Sequence, residues 1–191
     1  MLGLLFSAFS LAQAVPSVPG DDLGSLLTQG EVNLLETWPD GRLKQVTTIA
    51  FMPVPPEKIW ALLVDFEHYE DWMPQVEVAT ESGRTETMVL VDWRIAVVGP
   101  DVQLQTRYTM DAATWTIQGK WESGALPGST WAWRLVPVPG GTRVYRSLRT
   151  YAVDSNWVLK QVEDENHTLD YGLNSAVGVI EVRGLRRKLG V

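Results

Sequence analysis

From Gln75 onward, apolar and polar residues alternate for almost eighty residues. Side chains on a strand point alternately to its two faces, so this pattern predicts strands with one buried face. Val76–Thr80 is the first, ended by a turn at Ser82-Gly83. Thr87–Val98 places Val89, Val91, Trp93, Ile95 and Val97 together. Val102–Met110 groups Val102, Leu104, Thr106, Tyr108 and Met110 against Gln103, Gln105, Arg107 and Thr109. Trp115–Glu122 sets Trp115, Ile117, Gly119 and Trp121 on one side. Thr130–Val138 carries Trp131, Trp133 and Leu135, and Thr142–Val153 closes the series. Gly99-Pro100-Asp101, Gly124–Gly128 and Pro139-Gly140-Gly141 are the breaks between them. Strands joined by short Gly- and Pro-containing turns make an antiparallel meander.

The flanks follow other periods. Glu31–Thr37 and Arg42–Met52 read as a hairpin around Trp38-Pro39-Asp40-Gly41. Pro53-Val54-Pro55-Pro56 interrupts the sheet, and Ile59, Leu62, Leu63 and Phe66 then recur at helical spacing. A second short helix is expected over Phe66–Trp72. Asn156–Leu189 has no strand pattern, whereas Val158, Val162, Leu169, Leu173, Val177 and Ile180 repeat in steps of three, four and seven. That predicts a helix of about thirty residues, roughly 45 Å long. The fold class is therefore α+β, with a curved antiparallel sheet wrapped around a long C-terminal helix and two short helices after the first strand or hairpin. A twisted sheet cannot meet a straight helix flush along its length. With apolar walls on both sides, the gap becomes a pocket for a hydrophobic molecule.

Composition narrows the function. The 191 residues suit one domain, and 45% hydrophobic content supplies a large core without covalent staples. Nine tryptophans are more than such a core ordinarily uses, and Trp often lines ligand pockets. A net charge of −7 disfavours nucleic acid as a partner. Arg183, Arg186, Arg187 and Lys188 fit the last turns of a helix, where positive charge complements the dipole. The absence of cysteine removes disulfides, thiolate metal sites and cysteine nucleophiles together.

Leu2–Ala14 is an apolar run of signal-peptide length, too short to span a membrane, with an A-x-A site at Ala12 and Ala14 but no Lys or Arg before it. It predicts a signal peptide over 1–14, a flexible lead-in over 15–30 and a ligand-binding domain over 31–191. The expected location is periplasmic or secreted, with a cytoplasmic alternative.

Three stretches resemble the START-like helix-grip superfamily, in its polyketide cyclase and coenzyme-Q-binding branch. They are Pro55–Pro74, Leu104–Asp111, and Trp131-Ala132-Trp133-Arg134-Leu135-Val136-Pro137 followed by Gly141-Thr142-Arg143-Val144. The resemblance covers about residues 43–189. It implies a ligand cavity, on a scaffold that hosts both binders and enzymes.

Catalytic chemistry is sparse. His68 and His167 lie in acid-rich runs without metal-ligand spacing, so no metal and no cofactor is expected. No phosphate loop or serine-hydrolase motif is present. Tyr108 is the single ionisable side chain on its face, and Arg146 shares the Val144/Leu148 face, where it could meet a ligand carboxylate or phosphate. The candidate ligand-binding residues are Val91, Trp93, Tyr108, Met110, Trp115, Trp131, Trp133, Arg146, Leu173 and Val177. The expected function is non-catalytic binding and transport of a lipid, quinone or isoprenoid. The alternative is an aromatase/cyclase-type enzyme acting on a polyketide-like substrate. A monomer is expected, and transient membrane contact is compatible with a lipid ligand.

Overall fold

The computed structural model describes residues 22–96, 101–124, 128–149, 160–161 and 168–191. Eight strands form one antiparallel sheet: β1 (Val32–Thr37), β2 (Leu43–Met52), β3 (Val76–Arg84), β4 (Met88–Ile95), β5 (Val102–Asp111), β6 (Thr116–Gly124), β7 (Thr130–Val138) and β8 (Gly141–Arg149). Their order is β1-β2-β8-β7-β6-β5-β4-β3, so a meander from β3 to β8 meets the β1–β2 hairpin at the β2–β8 pair. The helices α1 (Asp22–Leu27), α2 (Pro56–Leu63) and α3 (Leu169–Leu189) accompany the sheet. A 3₁₀ turn, Phe66–Asp71, follows α2.

The period-2 reading places the inner face correctly. Val89, Val91, Trp93, Leu104, Tyr108, Met110, Ile117, Trp131, Trp133, Leu135, Val144 and Leu148 are all buried in one core. α2 begins with Pro56, whose missing N–H is harmless in a first turn, and buries Ile59 and Leu63. α3 carries Arg186, Arg187 and Lys188 in its last turn and ends on Gly190 in the left-handed region.

Three expectations change. β3 does not stop at Ser82-Gly83: it runs to Arg84, and a register shift between Glu81 and Gly83 absorbs the irregular residue as a bulge. The turn follows at Thr85, whose N–H donates to Met88 O at 2.7 Å. Next, part of the segment read as a lead-in is the helix α1, which buries Leu23 and Leu27 against Ile49 on the outer side of the sheet. Finally, the long helix is described over Leu169–Leu189, and most of the stretch from Asn156 to Thr168 lies outside the described residues, as do residues 1–21.

The face that α3 turns to the sheet is also not the apolar one. Asp170, Asn174, Gly178, Glu181, Val182 and Leu185 are buried, Leu173 and Val177 are half-buried, and Ile180 is exposed. Leu173, Val177 and Ile180 each precede a buried residue by one position, which is about 100° around a helix. They therefore flank the contact stripe. Gly178 marks the closest approach: a Cβ there would collide with the Thr48 hydroxyl and crowd Leu148.

Candidate functional site

The inner face of β4–β8, the 3₁₀ turn and the middle of α3 converge on one aromatic region. The 3₁₀ geometry repeats every three residues, so Phe66, Tyr69 and Trp72 project from one side of Phe66–Asp71 and its cap. They meet the sheet aromatics: Phe66 lies 4.5 Å from Tyr108, Tyr69 lies 5.4 Å from Trp93, and Trp72 lies 6.5 Å from Trp133, measured between ring centroids. Tyr69 is fixed by its hydroxyl, which donates to Leu63 O at 2.6 Å. Tyr108 lies over Gly119, its partner on β6, where a Cβ would come within 2.6 Å of the ring.

Between these groups remains a cavity of about 40 Å³, whose lining includes Tyr69, Met73, Trp93, Thr106, Tyr108, Trp131, Trp133, Arg146 and Glu181. That volume holds about one water molecule. A wider groove of about 380 Å³ opens along β3–β6, where Asp92, Arg94, Gln103 and Gln105 stand beside Val78, Trp93 and Leu104.

Charge enters the cavity at one place. Arg146 Nε is ion-paired with Glu181 Oε2 of α3, and the two side chains are 3% and 10% exposed. The guanidinium also sits over the Trp133 ring, 4.7 Å from its centroid. Arg146 is therefore neither turned to water nor a free receptor for a ligand anion. Burial pushes the Tyr108 phenol well above its ordinary value, a shift that Arg146 opposes and Glu181 adds to. Burial raises Tyr69 in the same direction. Both phenols stay protonated at neutral pH. Below this point Arg149 pairs with Asp170 at 2.5 Å, and Asn174 Nδ2 donates to Asp170 Oδ1 at 2.7 Å.

Five of the sequence candidates line the cavity: Trp93, Tyr108, Trp131, Trp133 and Arg146. Val91 and Met110 are core residues outside its lining. Trp115 has a positive φ of 53° and packs edge-on against Trp60 of α2 at 5.5 Å. That left-handed turn residue breaks the alternation, so its side does not follow from Ile117. Leu173 and Val177 flank the contact stripe and do not reach the cavity. Glu181, Tyr69, Met73 and Thr106 belong to the lining and were not among the sequence candidates. Glu181 was legible only as one of a stripe, Asp170-Asn174-Gly178-Glu181, at spacings of four, four and three. Tyr69 and Met73 carry the signal of aromatic and apolar residues at 3₁₀ spacing. His68 is exposed beside Asp65 at 2.8 Å, which raises its pKa through a hydrogen bond. Among the described residues, no group of His, Asp and Glu is arranged to hold a metal.

Comparison with solved structures places this architecture among known folds. A protein from Thermus thermophilus superposes with a TM-score of 0.64 at 18% identity, covering 75% of this chain and 94% of the other. A STAR-related lipid transfer protein from Xanthomonas axonopodis gives 0.59 at 16% identity, covering 83% and 99%. The Zhui aromatase/cyclase from a Streptomyces species gives 0.54 at 16% identity, covering 75% and 94%. At such identities the likeness establishes the helix-grip fold alone. No curated protein matches the sequence. Residues 52–166 match the family described as polyketide cyclase / dehydrase and lipid transport. That span includes the 3₁₀ turn and all six strands of the meander, and the chain belongs to this family of hydrophobic-ligand proteins.

Proposed function

We propose that the chain binds and carries a hydrophobic small molecule, such as a lipid, quinone or isoprenoid, without transforming it. The observation that carries this reading is the wall itself: Trp93, Tyr108, Trp131 and Trp133 converge with Tyr69 of the 3₁₀ turn on one cavity. Aromatic walls with a few placed polar groups suit an apolar guest. The cavity is far smaller than a lipid, so loading displaces Tyr69 and its neighbours in the 3₁₀ turn or lifts α3. The family includes lipid transport, and a lipid transfer protein is among the structures that share the fold. Export through Leu2–Ala14 belongs to the same proposal, and N-terminal sequencing of the mature protein tests it.

Native mass spectrometry of the purified chain, followed by solvent extraction, is the direct test. A co-purifying apolar adduct supports the carrier. A chain that stays empty across a broad panel of lipids, quinones and isoprenoids sinks it.

One observation favours a second reading, an aromatase/cyclase-type enzyme. Glu181, Arg146 and Tyr108 bring an acid, a cation and a phenol to the same cavity. General acid–base work needs such groups within reach of the reacting atoms. Conversion of a polyketide-like chain by the wild type, lost in Glu181→Gln and Tyr108→Phe with binding retained, would establish it.

A further inference from the structure

Charge is distributed unevenly over the chain. It carries 23 Asp and Glu against 16 Lys and Arg, a net charge of −7. The strands β5–β8 reverse that balance, with Arg107, Lys120, Arg134, Arg143, Arg146 and Arg149 against Asp111 and Glu122. Arg146 and Arg149 are turned to Glu181 and Asp170 of α3. The other four each adjoin a buried residue of the inner face, Tyr108, Gly119, Trp133 and Val144 in turn. Alternation therefore puts these four cations on the outer face, away from the cavity. The register brings them together: Arg107 is directly opposite Lys120, and Arg134 is opposite Tyr145, two residues along β8 from Arg143.

Folding gains little from this arrangement, because like charges directly opposite on neighbouring strands destabilise a sheet. Glu122 relieves Arg107 at 2.7 Å. Asp111 is held by its own turn, where it accepts from Ala113 N, Thr114 N and the Thr114 hydroxyl. Among the described residues, no carboxylate is ion-paired with Lys120, Arg134 or Arg143. Lys120 and Arg134 are exposed, and Arg143 and Tyr145 are half-buried, so the face is open to a partner. A guanidinium presents a forked set of donors that matches a carboxylate. The missing component on this face is therefore anionic oxygen.

We propose that the outer face of β6–β8, with Lys120, Arg134 and Arg143 as its receptors, docks an acidic segment of a partner protein. Arginine clusters recognise acidic motifs in this way. The face is separate from the cavity, so the inference stands apart from what the cavity holds. Other anionic surfaces fit less well. An anionic bilayer would meet no exposed large apolar side chain on these strands, since those of the described residues are Leu26, Leu35, Trp38, Ile180 and Val191. A bilayer or a nucleic acid would also repel the acidic remainder of the chain over a broad contact. A second copy offers the exposed acids Asp65, Glu67, Glu70 and Asp71 at its 3₁₀ turn. That contact joins two different surfaces, so it does not close on itself as a twofold dimer does. A local acidic segment meets the cations without these costs, and its charge steers it to the one face that attracts it.

The test uses the full chain at low ionic strength, where screening is weak. The probes are a fluorescein-labelled oligoglutamate peptide, phosphatidylglycerol vesicles and a short DNA duplex. Peptide binding is read by anisotropy, vesicle and duplex binding by co-sedimentation and gel shift, and self-association by sedimentation velocity of the chain alone. The expected result is saturable peptide binding that weakens as salt is added. Arg134→Ala with Arg143→Ala lowers the affinity about tenfold, the factor that two exposed ion pairs supply together. Lys120→Ala, a single exposed change, lowers it about threefold. Arg134→Lys with Arg143→Lys keeps part of the affinity, because the charge stays and the fork is lost. Lys58→Ala, an exposed cation on α2, leaves it unchanged. Absence of peptide binding overturns the inference, as does binding indifferent to all three cations. Vesicle or duplex binding at least as tight as peptide binding, and lost with the same arginines, overturns the assignment to a protein. Self-association of the chain alone, abolished by the double alanine change, makes a second copy the occupant and overturns it too.

Discussion

The sheet and the helix that face each other across the core are built on opposite chemistries. The sheet wall is apolar and aromatic, and its members alternate strictly with solvent-facing residues. The helix wall is polar over its first three turns, where Asp170, Asn174, Gly178 and Glu181 face the sheet, and apolar only near its end, at Val182 and Leu185. Cohesion therefore comes from the sheet, the 3₁₀ turn and the C-terminal part of α3. The N-terminal part is placed by discrete pairs, Asp170 with Arg149 and Glu181 with Arg146. A helix held this way has a defined seat but a contact stripe poor in apolar surface, which is compatible with a wall that must move to admit a guest.

The largest expected effect comes from breaking the buried pair. Glu181→Ala leaves Arg146 buried without its counter-charge, which costs about 3–5 kcal/mol in urea unfolding. The double change Arg146→Met with Glu181→Leu returns most of that stability, since buried pairs replaced by apolar residues are often neutral. A double variant as unstable as the single one would show that the charges themselves hold the helix.

Next is Gly178→Ala. A methyl there meets the Thr48 side chain and pushes the helix off the sheet. Overpacking of this kind costs about 1–3 kcal/mol, set against a helix-propensity gain of at most about 1 kcal/mol. Thermal unfolding should show net destabilisation, and a neutral result would mean that the polar half of α3 is not closely seated.

The C-terminal half is tested through Glu31, which receives Arg183 Nη2 at 3.1 Å and Arg186 Nη1 at 2.9 Å. Burial raises its pKa, but the Arg183 hydrogen bond and both guanidinium charges bring it below its ordinary 4.5. A depressed carboxylate stabilises the fold above its unfolded pKa and loses that contribution as the pH falls through and below 4.5. Glu31→Gln should lower stability by about 1 kcal/mol at neutral pH, with both arginines partly solvent-screened. The difference from wild type should vanish in acid, and a constant gap across pH would rule out the charge as its source.

The smallest effect has the opposite sign. Gly172 is exposed within α3, and a Cβ there meets nothing within 4 Å. Gly172→Ala should stabilise by up to about 1 kcal/mol through helix propensity. Together with Gly178→Ala it separates the two sides of one helix.

The strands were legible because alternation follows directly from backbone geometry and needs no partner to be known. The same rule failed where the backbone left the extended region, at the Glu81–Gly83 bulge and at Trp115. α3 was legible as a helix but not as an oriented one. Its apolar residues suggested Leu173, Val177 and Ile180 as the inner face, whereas the partners offered by β8, Arg146 and Arg149, draw Glu181 and Asp170 inward instead.

By itself, the sequence determined the order of the strands, the inner face of most strands of the meander and the aromatic character of the cavity. Those features arise from residues two or three apart in the chain. The rotation of α3, the burial of an acid opposite Arg146 and the meeting of Phe66, Tyr69 and Trp72 with the sheet aromatics were decided only in the tertiary structure. Each depends on which groups meet across dozens of residues, and local periodicity carries no record of a partner that distant.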